Sequence, residues 1–422
     1  GVSPGDVRVF VHGTTLATNA LIQRNGPVVG LLCTEGFRDV LHLGRGSKPE
    51  RFNVHLQKSE DLIPRYLRLG VPERTAADGS EVKPLDEDAV REAARTFDKH
   101  GVKAVAIAYL WSILDATHEK RTAEIVQEEL PGVDVLCSSD ILPEIREWER
   151  TSSTVLSAYI APIIGDYLRA FETEMEKGGM PHRPLIMQVN GGCAAVPDLL
   201  ARPVNAIASG PAAGPAAAAY YASSTKAPDR LIVIDMGGTS FDVGLLIDGR
   251  IGITKSADIA GHRLALPMVE LDSAGNGAGS VVRVDEYKRL HVGPESAGAA
   301  VGICFKYDRL TVTDINVALG YVDPDYFLGG QVKLDRDAAL KALEQTVAEP
   351  LGLDVYTAGA GVLDIINAEM NDLLRTMIAS KGYDTHDFTM LYYGGAGPVH
   401  MHGFAEGIAF KDVITLPWAA GF

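Results

Sequence analysis

The stretch from Leu231 to Leu246 constrains the fold more than any other part of the chain. It reads Leu-Ile-Val-Ile-Asp-Met-Gly-Gly-Thr-Ser-Phe-Asp-Val-Gly-Leu-Leu, which is an apolar β-prone run, an acidic residue, two glycines and a second apolar run. Because 241–247 is predicted to be a strand, the segment forms a hairpin, whereas the glycines of a P-loop or a dinucleotide-binding turn open a helix. The hairpin leaves Asp235 at the end of its first strand.

The two glycines and the hydroxyl groups that follow them are suited to binding phosphate. Without a Cβ, Gly237 and Gly238 allow a tight turn that presents backbone N–H groups to phosphate oxygens, and Thr239 and Ser240 add hydroxyl groups. The carboxylate of Asp235 is placed to hold a hydrated Mg²⁺ ion. An ordinary Gly-Gly hairpin with surface hydroxyls is the alternative interpretation.

Composition and charge argue against several classes of protein. The chain has 422 residues, a net charge of -16 and a pI near 5.1, so it lacks the basic character of a general nucleic-acid or anionic-membrane binder. Its four cysteines lie far apart without C-x-x-C spacing, which favours reduced thiols over disulfides or a zinc site. No apolar run reaches the roughly 18 residues that span a bilayer. We therefore expect a cytoplasmic protein without a nucleic-acid or membrane partner.

Alternation of strand-like and helical patterns predicts an α/β fold. The patterns that carry this prediction are the apolar runs 7–11, 28–33 and 102–110 and the helical patterns 86–99, 117–129 and 152–177. A polar segment with Lys, Pro and Asp at 224–230 predicts a boundary. The predicted domains are a first lobe with an α/β region at 1–225 and a second lobe at 226–422, which carries the glycine turns.

Three further glycine segments are predicted to be turns or loops. The stretch 272–280 is too rich in glycine for a regular element, so we expect a loop whose backbone approaches a ligand or another segment, and a flexible surface loop is the alternative. The turn at 209–214 precedes an alanine-rich helix predicted at 215–223. A strand predicted at 388–393 runs into Gly394-Gly395-Ala396-Gly397-Pro398 and then into a helix from about Val399. His400 and His402 in that helix are two residues apart and do not share a face, so we expect local hydrogen bonding instead of a metal site.

At this point the chain resembles the hydantoinase A, oxoprolinase and ketone carboxylase family over nearly its whole length. The segments that carry the resemblance are His12 to Ala20, Glu149 to Ser152, Asn190 to Gly192, Ser209 to Pro211, Asp235 to Asp242, Gly293 to Gly298 and Gly394 to Pro398. The resemblance implies a two-lobed ATPase fold like that of actin, sugar kinases and heat-shock ATPases, with RNase H-like lobes and an inserted α/β region. It further implies that 235–242 is the second phosphate hairpin and that 394–398 lies against the adenosine of ATP.

Within this family, the residues before the glycine-rich loop favour one branch. Hydantoinase-like and oxoprolinase-like members usually carry a histidine where this chain has Glu270-Leu271-Asp272-Ser273, and the aspartate is similar to acetone or acetophenone carboxylase. The segment 417–422 is also similar to the ketone carboxylases. The resemblance thus implies an ATP-dependent ketone carboxylase subunit that acts on a small ketone and bicarbonate with other subunits. Opening of a hydantoin, oxoproline or lactam ring is the alternative.

The roles that the resemblance implies can be assigned residue by residue. Asp235 is expected to position Mg²⁺ or Mn²⁺, and Asp242 is expected to orient or deprotonate the attacking oxygen. Capping of the second strand is the alternative role of Asp242. The β- and γ-phosphates are expected at 237–240, and the adenosine at Gly394, Gly395, Ala396 and Gly397.

One departure from the family concerns the start of the chain. The family opens with a first hairpin, Asp-x-Gly-Gly-Thr-x-Thr-Asp, ahead of the His-Gly-Thr-Thr segment, whereas this sequence begins shortly before His12. The sequence is therefore expected to be part of a longer subunit. A non-catalytic scaffold that keeps the fold without nucleotide turnover is a further alternative.

Overall fold

The computed structural model describes residues 3–46, 52–55, 58–225 and 228–419. Its α-helices are α1 Leu16–Gln23, α2 Val40–Leu43, α3 Glu87–Lys99, α4 Thr117–Glu129, α5 Ser138–Ile141, α6 Glu147–Lys177, α7 Val196–Ala201, α8 Ser209–Ser224, α9 Val312–Leu319, α10 Arg336–Leu343, α11 Glu349–Leu351, α12 Val355–Ser380 and α13 Gly397–Ala405.

The strands are distributed along the whole chain. They are β1 Val11–His12, β2 Val29–Thr34, β3 Arg68–Val71, β4 Arg74–Thr75, β5 Glu81–Lys83, β6 Ala104–Ala108, β7 Asp134–Cys137, β8 Leu185–Met187, β9 Cys193–Ala195, β10 Leu231–Met236, β11 Phe241–Ile247, β12 Arg250–Ile251, β13 Ile253–Thr254, β14 Ala257–Ile259, β15 His262–Leu264, β16 Met268–Val269, β17 Leu271–Ala274, β18 Ser280–Val284, β19 Leu290–Ser296, β20 Thr389–Tyr393 and β21 Asp412–Ile414. Helices and sheets occur together, so the predicted α/β class is confirmed.

The chain forms two compact units. The first contains Gly1–Ala213 and Ile253–Val269, and the second contains Gly214–Gly252 and Glu270–Phe422. Two residues of the predicted boundary segment, Lys226 and Ala227, lie outside the described residues, as do residues 420–422 of the C-terminal segment. The division at residue 225 stays a prediction.

The first unit is organised by a four-stranded parallel sheet in the order β3-β2-β6-β7. Every residue of β2 and β6 is buried, which explains why both strands are continuous apolar runs in the sequence. The helix α3 begins after Asp86, whose side chain accepts a hydrogen bond from the N–H of Ala89, and it buries Val90, Ala94 and Phe97. The predicted helices 86–99 and 117–129 thus agree with α3 and α4.

The second unit contains the sheet that carries the hairpin of β10 and β11. Its order is β12-β11-β10-β20-β21, with β17 also paired to β11. The strands β10 and β11 are antiparallel, whereas β20 and β21 run parallel to β10. The hairpin predicted from 231–246 is therefore confirmed, and its first strand is central in the sheet.

The structure corrects several element predictions. The apolar run 7–11 is a strand only at its last residue, because β1 is Val11–His12, and α6 begins at Glu147, five residues before the predicted start at 152. Residues 271–274 form strand β17, so the predicted loop at 272–280 is regular at its start, because these residues pair with β11. The helix α8 begins at Ser209 instead of 215, and Pro215 lies inside it. The helix α13 begins at Gly397, two residues before the predicted start, with Pro398 in its first turn.

Among the described residues, no helix is long and apolar enough to cross a membrane.

Candidate functional site

The hairpin of β10 and β11 places two aspartates opposite each other. Asp235 near the end of β10 pairs with Asp242 near the start of β11, and Met236 pairs with Phe241 at the last position before the turn. Directly opposite residues on antiparallel strands have side chains on the same face of the sheet. The two carboxyl groups therefore share one face next to the glycine turn.

The two carboxyl groups differ in their hydrogen bonds. Asp242 is 7% exposed, and both of its oxygens accept hydrogen bonds, from the hydroxyl of Ser240 at 2.8 Å and from the hydroxyl of Ser273. Asp235 is half-buried, and its carboxylate receives no hydrogen bond from the residues that the structure describes. Asp242 is thus fixed in position, whereas Asp235 keeps its oxygens available.

The electrostatics of this pair favour a cation beside it. Burial and the neighbouring Asp242 raise the pKa of Asp235 to about 6. Burial also raises the pKa of Asp242, although the hydrogen bonds from Ser273 and Ser240 act in the opposite direction. Two half-buried or buried carboxylates side by side are costly unless a positive charge compensates them.

The turn itself offers backbone donors. The N–H of Gly237 donates to the carbonyl of Ser240 at 3.1 Å and is therefore used within the hairpin. In the described part of the chain, the N–H groups of Gly238 and Thr239 have no hydrogen-bond acceptor. Both residues are exposed, so these two N–H groups are the ones that an anion can reach.

The glycine-rich loop packs directly on this turn. The N–H groups of Ala278 and Gly279 donate to the carbonyls of Gly237 and Gly238 at 3.1 and 2.7 Å. A Cβ at Gly277 or Gly279 would lie 2.8 Å from carbonyl oxygens of the turn, which is closer than side chains tolerate. The sequence prediction that this loop approaches another chain segment is therefore confirmed.

The second glycine turn touches the same strand ends. Gly394 has φ +87°, and a Cβ there would lie 2.3 Å from Oδ1 of Asp235 and 2.4 Å from the carbonyl oxygen of Met236. The N–H of Ala396 donates to that carbonyl of Met236 at 3.0 Å. Only glycine at 394 allows the strand-to-helix turn and Asp235 to lie this close together.

A cavity of about 560 Å³ lies against both turns. Gly237 and Gly238 line it from the hairpin, and Gly395 and Ala396 line it from the start of α13. Its other walls are mostly apolar. They come from Ala278, Gly279, Gly298, Val301, Thr313, Asn316, Val322, Asp323, Tyr326, Phe327, Leu328, Gly329 and Val399. Its volume is in the usual range for a small-molecule site, and apolar walls with a few polar groups are typical of such sites.

The structure thus brings together Gly237, Gly238, Gly395 and Ala396 at the cavity. The other predicted residues belong to the same strand ends and turns but do not line the cavity. They are Asp235, Thr239, Ser240, Asp242, Gly394 and Gly397. The hydroxyl of Ser240 donates to Asp242 in this structure, and its predicted contact with phosphate stays a prediction.

Sequence reasoning missed two parts of the site. One is Ser273, which bonds to Asp242 because β17 pairs with β11 and places the two residues opposite each other. The other is the apolar wall formed by Tyr326, Phe327 and Leu328. The apolar triplet before Gly329-Gly330 was a usable signal, whereas the partner of Ser273 depends on strand pairing that the sequence does not reveal.

His400 has a structural role beside the cavity. It is buried, its Nε2 lies 2.9 Å from the amide nitrogen of Asn316, and its Nδ1 lies 3.1 Å from the amide oxygen of Asn367. Burial lowers the pKa of His400 to about 4. A neutral ring that donates from Nδ1 and accepts at Nε2 bonds to one polar atom of each amide, whereas Oδ1 of Asn316 has no partner among the described residues. The predicted hydrogen bonding of His400 is therefore confirmed, although its partners lie 84 and 33 residues away in the sequence.

Within the described ranges, no group of three or more His, Cys, Asp or Glu side chains is arranged to hold a metal ion. The four cysteines are unpaired, as predicted, and Cys193 is exposed. A metal at the hairpin would have to take most of its ligands from water and phosphate, which is common for Mg²⁺.

Comparison with protein families gives two matches. The family model described as hydantoinase/oxoprolinase matches residues 150–422, and the one described as the hydantoinase/oxoprolinase N-terminal region matches residues 1–130. Together they cover most of the chain.

Comparison with individual proteins gives relatives of two kinds. The chain is 39% identical to the caprolactamase subunit alpha of Pseudomonas jessenii over 99% of its length, and 37% identical to the acetone carboxylase beta subunit of Xanthobacter autotrophicus over 98%. It is 36% identical to the acetophenone carboxylase gamma subunit of Aromatoleum aromaticum over 99%. The chain spans 59–60% of the length of these relatives.

Two solved structures are similar over 99% of the chain. A nucleotide-free acetone carboxylase structure, from work on ATP-dependent acetone carboxylation, matches with a TM-score of 0.89 and 36% identity. The ATP-dependent caprolactamase of Pseudomonas jessenii matches with a TM-score of 0.78 and 38% identity. The chain covers 61% of each of those chains.

Proposed function

The chain belongs to the hydantoinase/oxoprolinase family, and from this membership we propose that it hydrolyses ATP as part of a ketone carboxylase of the acetone or acetophenone type. The observation that carries the proposal is the cavity of about 560 Å³ that both glycine turns line. A phosphate-binding turn and an apolar wall around one cavity suit a molecule with a charged tail and a flat base. The similarity to solved acetone carboxylase supports the same assignment.

In this proposal, the hairpin binds the phosphates of ATP. The free N–H groups of Gly238 and Thr239 donate to phosphate oxygens, and the hydroxyl of Thr239 adds a further donor. Gly395 and Ala396 lie against the adenosine, with the N-terminus of α13 behind them. The apolar side chains of Tyr326, Phe327 and Leu328 cover the base.

The aspartate pair fits a divalent cation, because Asp235 is half-buried, has a raised pKa and receives no hydrogen bond from the described residues. Asp235 would hold Mg²⁺ or Mn²⁺, and the rest of the coordination sphere would be water and phosphate oxygens. Such an ion supplies positive charge that offsets the charge developing on a transferred phosphoryl group.

Asp242 is proposed to orient or deprotonate the oxygen that attacks the γ-phosphate. Its two oxygens are fixed by Ser240 and Ser273, so one orientation of the carboxyl group is selected. Burial raises its pKa and makes it a better base than an exposed aspartate. Phosphorylation of a ketone enol or of bicarbonate turns an unreactive oxygen into a leaving group or traps the enolate, and other subunits would complete the carboxylation.

The second candidate is ATP-dependent opening of a cyclic amide such as a lactam, hydantoin or oxoproline. It is favoured by the 39% identity to a caprolactamase subunit, which is similar to the identity with the carboxylases. Against it are the higher TM-score with acetone carboxylase and the aspartate at 272. Both reactions would use the same ATP site, so they differ in the substrate that is phosphorylated.

The test is phosphate release from ATP by the assembled complex of this subunit and its partners, with candidate substrates added one at a time. The proposal expects a small ketone with bicarbonate to stimulate release. Stimulation by a cyclic amide and by no ketone would select the second candidate. If calorimetry detects no ATP binding to the complex, the protein is a scaffold and both reactions are excluded.

A further inference from the structure

A second cavity, in the first unit, has the features of an anion site. It has a volume of about 680 Å³ and is lined by residues of 58–68 together with Arg24, His42 and Tyr159. None of these residues belongs to the proposed ATP site. The cavity is therefore independent of the glycine turns described above.

Arg68 is the central observation. Its side chain lines the cavity although Arg68 is only 4% exposed. Its Nε donates to the carbonyl of Ile63 at 2.8 Å and its Nη2 to Asp61 at 2.6 Å, while Nη1 has no acceptor in the described ranges of the chain. Nη1 is not one of the buried polar atoms that lack a partner, so it is open to the cavity, where a ligand or water can accept from it.

Charges around the cavity favour a monoanion. Arg24, Lys58 and Arg68 are cations, whereas Glu60 and Asp61 are the carboxylates among the lining residues, so one positive charge is left over. Burial acts to raise the pKa of Asp61, but hydrogen bonds from His42 and Arg68 outweigh it and the pKa lies below its ordinary value. Asp61 is thus ionised and is one of the two negative charges counted above. This excess is local, since the whole chain carries a net charge of -16.

The donors that remain are suited to a planar carboxylate. Arg24 is occupied by Glu60, to whose carbonyl its Nη2 donates at 2.6 Å. Nζ of Lys58 lies 3.9 Å from Asp61, which is beyond hydrogen-bond distance, so among the described residues neither this ammonium nor Nη1 of Arg68 has a hydrogen-bond acceptor. A guanidinium and an ammonium directed at the same cavity can bind the two oxygens of one carboxylate.

The cavity is much larger than a carboxylate group, and part of its wall is apolar. Leu62, Pro64 and the ring of Tyr159 line it beside the cations. The hydroxyl of Tyr159 accepts from the N–H of Gly26 at 2.9 Å, which fixes the ring. We propose that this cavity binds a small organic monocarboxylate, with its carboxylate on Arg68 and Lys58 and its apolar body against Leu62, Pro64 and Tyr159.

The experiment is calorimetry of the whole chain with hexanoate, hexanol and bicarbonate as probes. Hexanoate is expected to bind, whereas hexanol lacks the charge and bicarbonate lacks the apolar body, so both should bind much more weakly. Lys58→Met should weaken hexanoate binding about tenfold, because one charge-assisted hydrogen bond is lost. Lys83→Met is the matched control, since the Lys83 side chain is 50% exposed and that of Lys58 is 49% exposed.

A further variant tests the apolar wall. Leu62→Ala should weaken hexanoate binding and leave acetate binding unchanged, because only the longer acid reaches this wall. The proposal is overturned if hexanoate does not bind at millimolar concentration, if hexanol or bicarbonate binds as tightly as hexanoate, or if Lys58→Met and Lys83→Met bind hexanoate equally. Arg68→Gln is not the primary test, because Arg68 also bonds to Ile63 and Asp61.

Discussion

Replacing Gly394 with alanine tests whether the contact between the second glycine turn and Asp235 positions the site. Gly394 has φ +87°, and an added Cβ would lie 2.3 Å from Oδ1 of Asp235 and 2.4 Å from the carbonyl oxygen of Met236. Gly382 provides a matched control in the same unit, since it has φ +73° and a Cβ there would meet no atom within 4 Å. Both substitutions impose the same kind of backbone strain, but only the first displaces a carboxylate.

The expected loss of stability in each variant follows from the backbone strain, which both variants share, and from the clash, which only Gly394→Ala has. A left-handed backbone conformation costs a residue with a Cβ about 1–2 kcal/mol, so Gly382→Ala should lower the free energy of unfolding by that amount. Overpacking in a well-packed region costs a further ~1–3 kcal/mol, so Gly394→Ala should lose about 2–5 kcal/mol. Relief of the clash moves Asp235 away from its place beside Asp242, and ATP binding should weaken with it.

Two measurements separate strain from displacement. Hydrogen exchange of the β10 and β20 amides reports the local stability of the sheet in each variant. Calorimetric titration with ATP and Mg²⁺ measures the affinity of the site for the nucleotide. The Gly394→Ala variant should bind ATP about tenfold or more weakly than Gly382→Ala, which is a difference of about 1.4 kcal/mol in binding free energy. Equal exchange and equal ATP affinity in the two variants would show that the geometry around Gly394 does not position Asp235.

The remaining predictions concern three side chains near the cavity. Asp235→Asn should lower ATP turnover by about 100-fold, or about 2.7 kcal/mol, without changing assembly of the complex in size-exclusion chromatography; unchanged turnover would refute the metal role. Ser273→Ala should lower kcat about tenfold, because Asp242 loses one of its two donors, whereas the exposed Ser223→Ala should have no effect on kcat. Burial lowers the pKa of His400 from 6.5 to about 4, so the unfolded chain binds a proton that the folded chain does not between these values. The free energy of unfolding should therefore fall by about 3 kcal/mol as the pH falls from 6.5 to 4, and urea denaturation of His400→Gln should show a smaller loss.

Helix α3 and the hairpin of β10 and β11 were predicted well, because the residues that determine each of them are neighbours in the chain. The first turn of α3 is fixed by Asp86, whose side chain caps the helix, and the apolar spacing of Val90, Ala94 and Phe97 repeats with the helical period. The hairpin of β10 and β11 follows from two apolar runs around Gly237-Gly238. In both cases the interacting residues are close in the sequence.

The errors arose where a distant segment decides the structure. The start of α8 was placed at Pro215, since proline usually opens a helix, but the helix begins earlier and places Gly214 against the ring of Tyr393. A Cβ at Gly214 would lie 1.5 Å from the hydroxyl oxygen of Tyr393, so this glycine is required by packing and not by a turn. The strand β17 was missed because its partner β11 lies about 30 residues earlier in the sequence.

The contact between the glycine-rich loop and the hairpin turn tolerates substitution on one of its two sides only. It consists of main-chain atoms on both sides, with Gly277 and Gly279 against the carbonyls of Gly237 and Gly238. A Cβ at Gly277 or Gly279 would lie 2.8 Å from these carbonyl oxygens, so a side chain there would push the two segments apart, whereas a Cβ at Gly237 or Gly238 would meet no atom within 4 Å. Side chains can therefore be exchanged on the turn side of this contact, but the loop side has to keep its glycines for the two backbones to stay together.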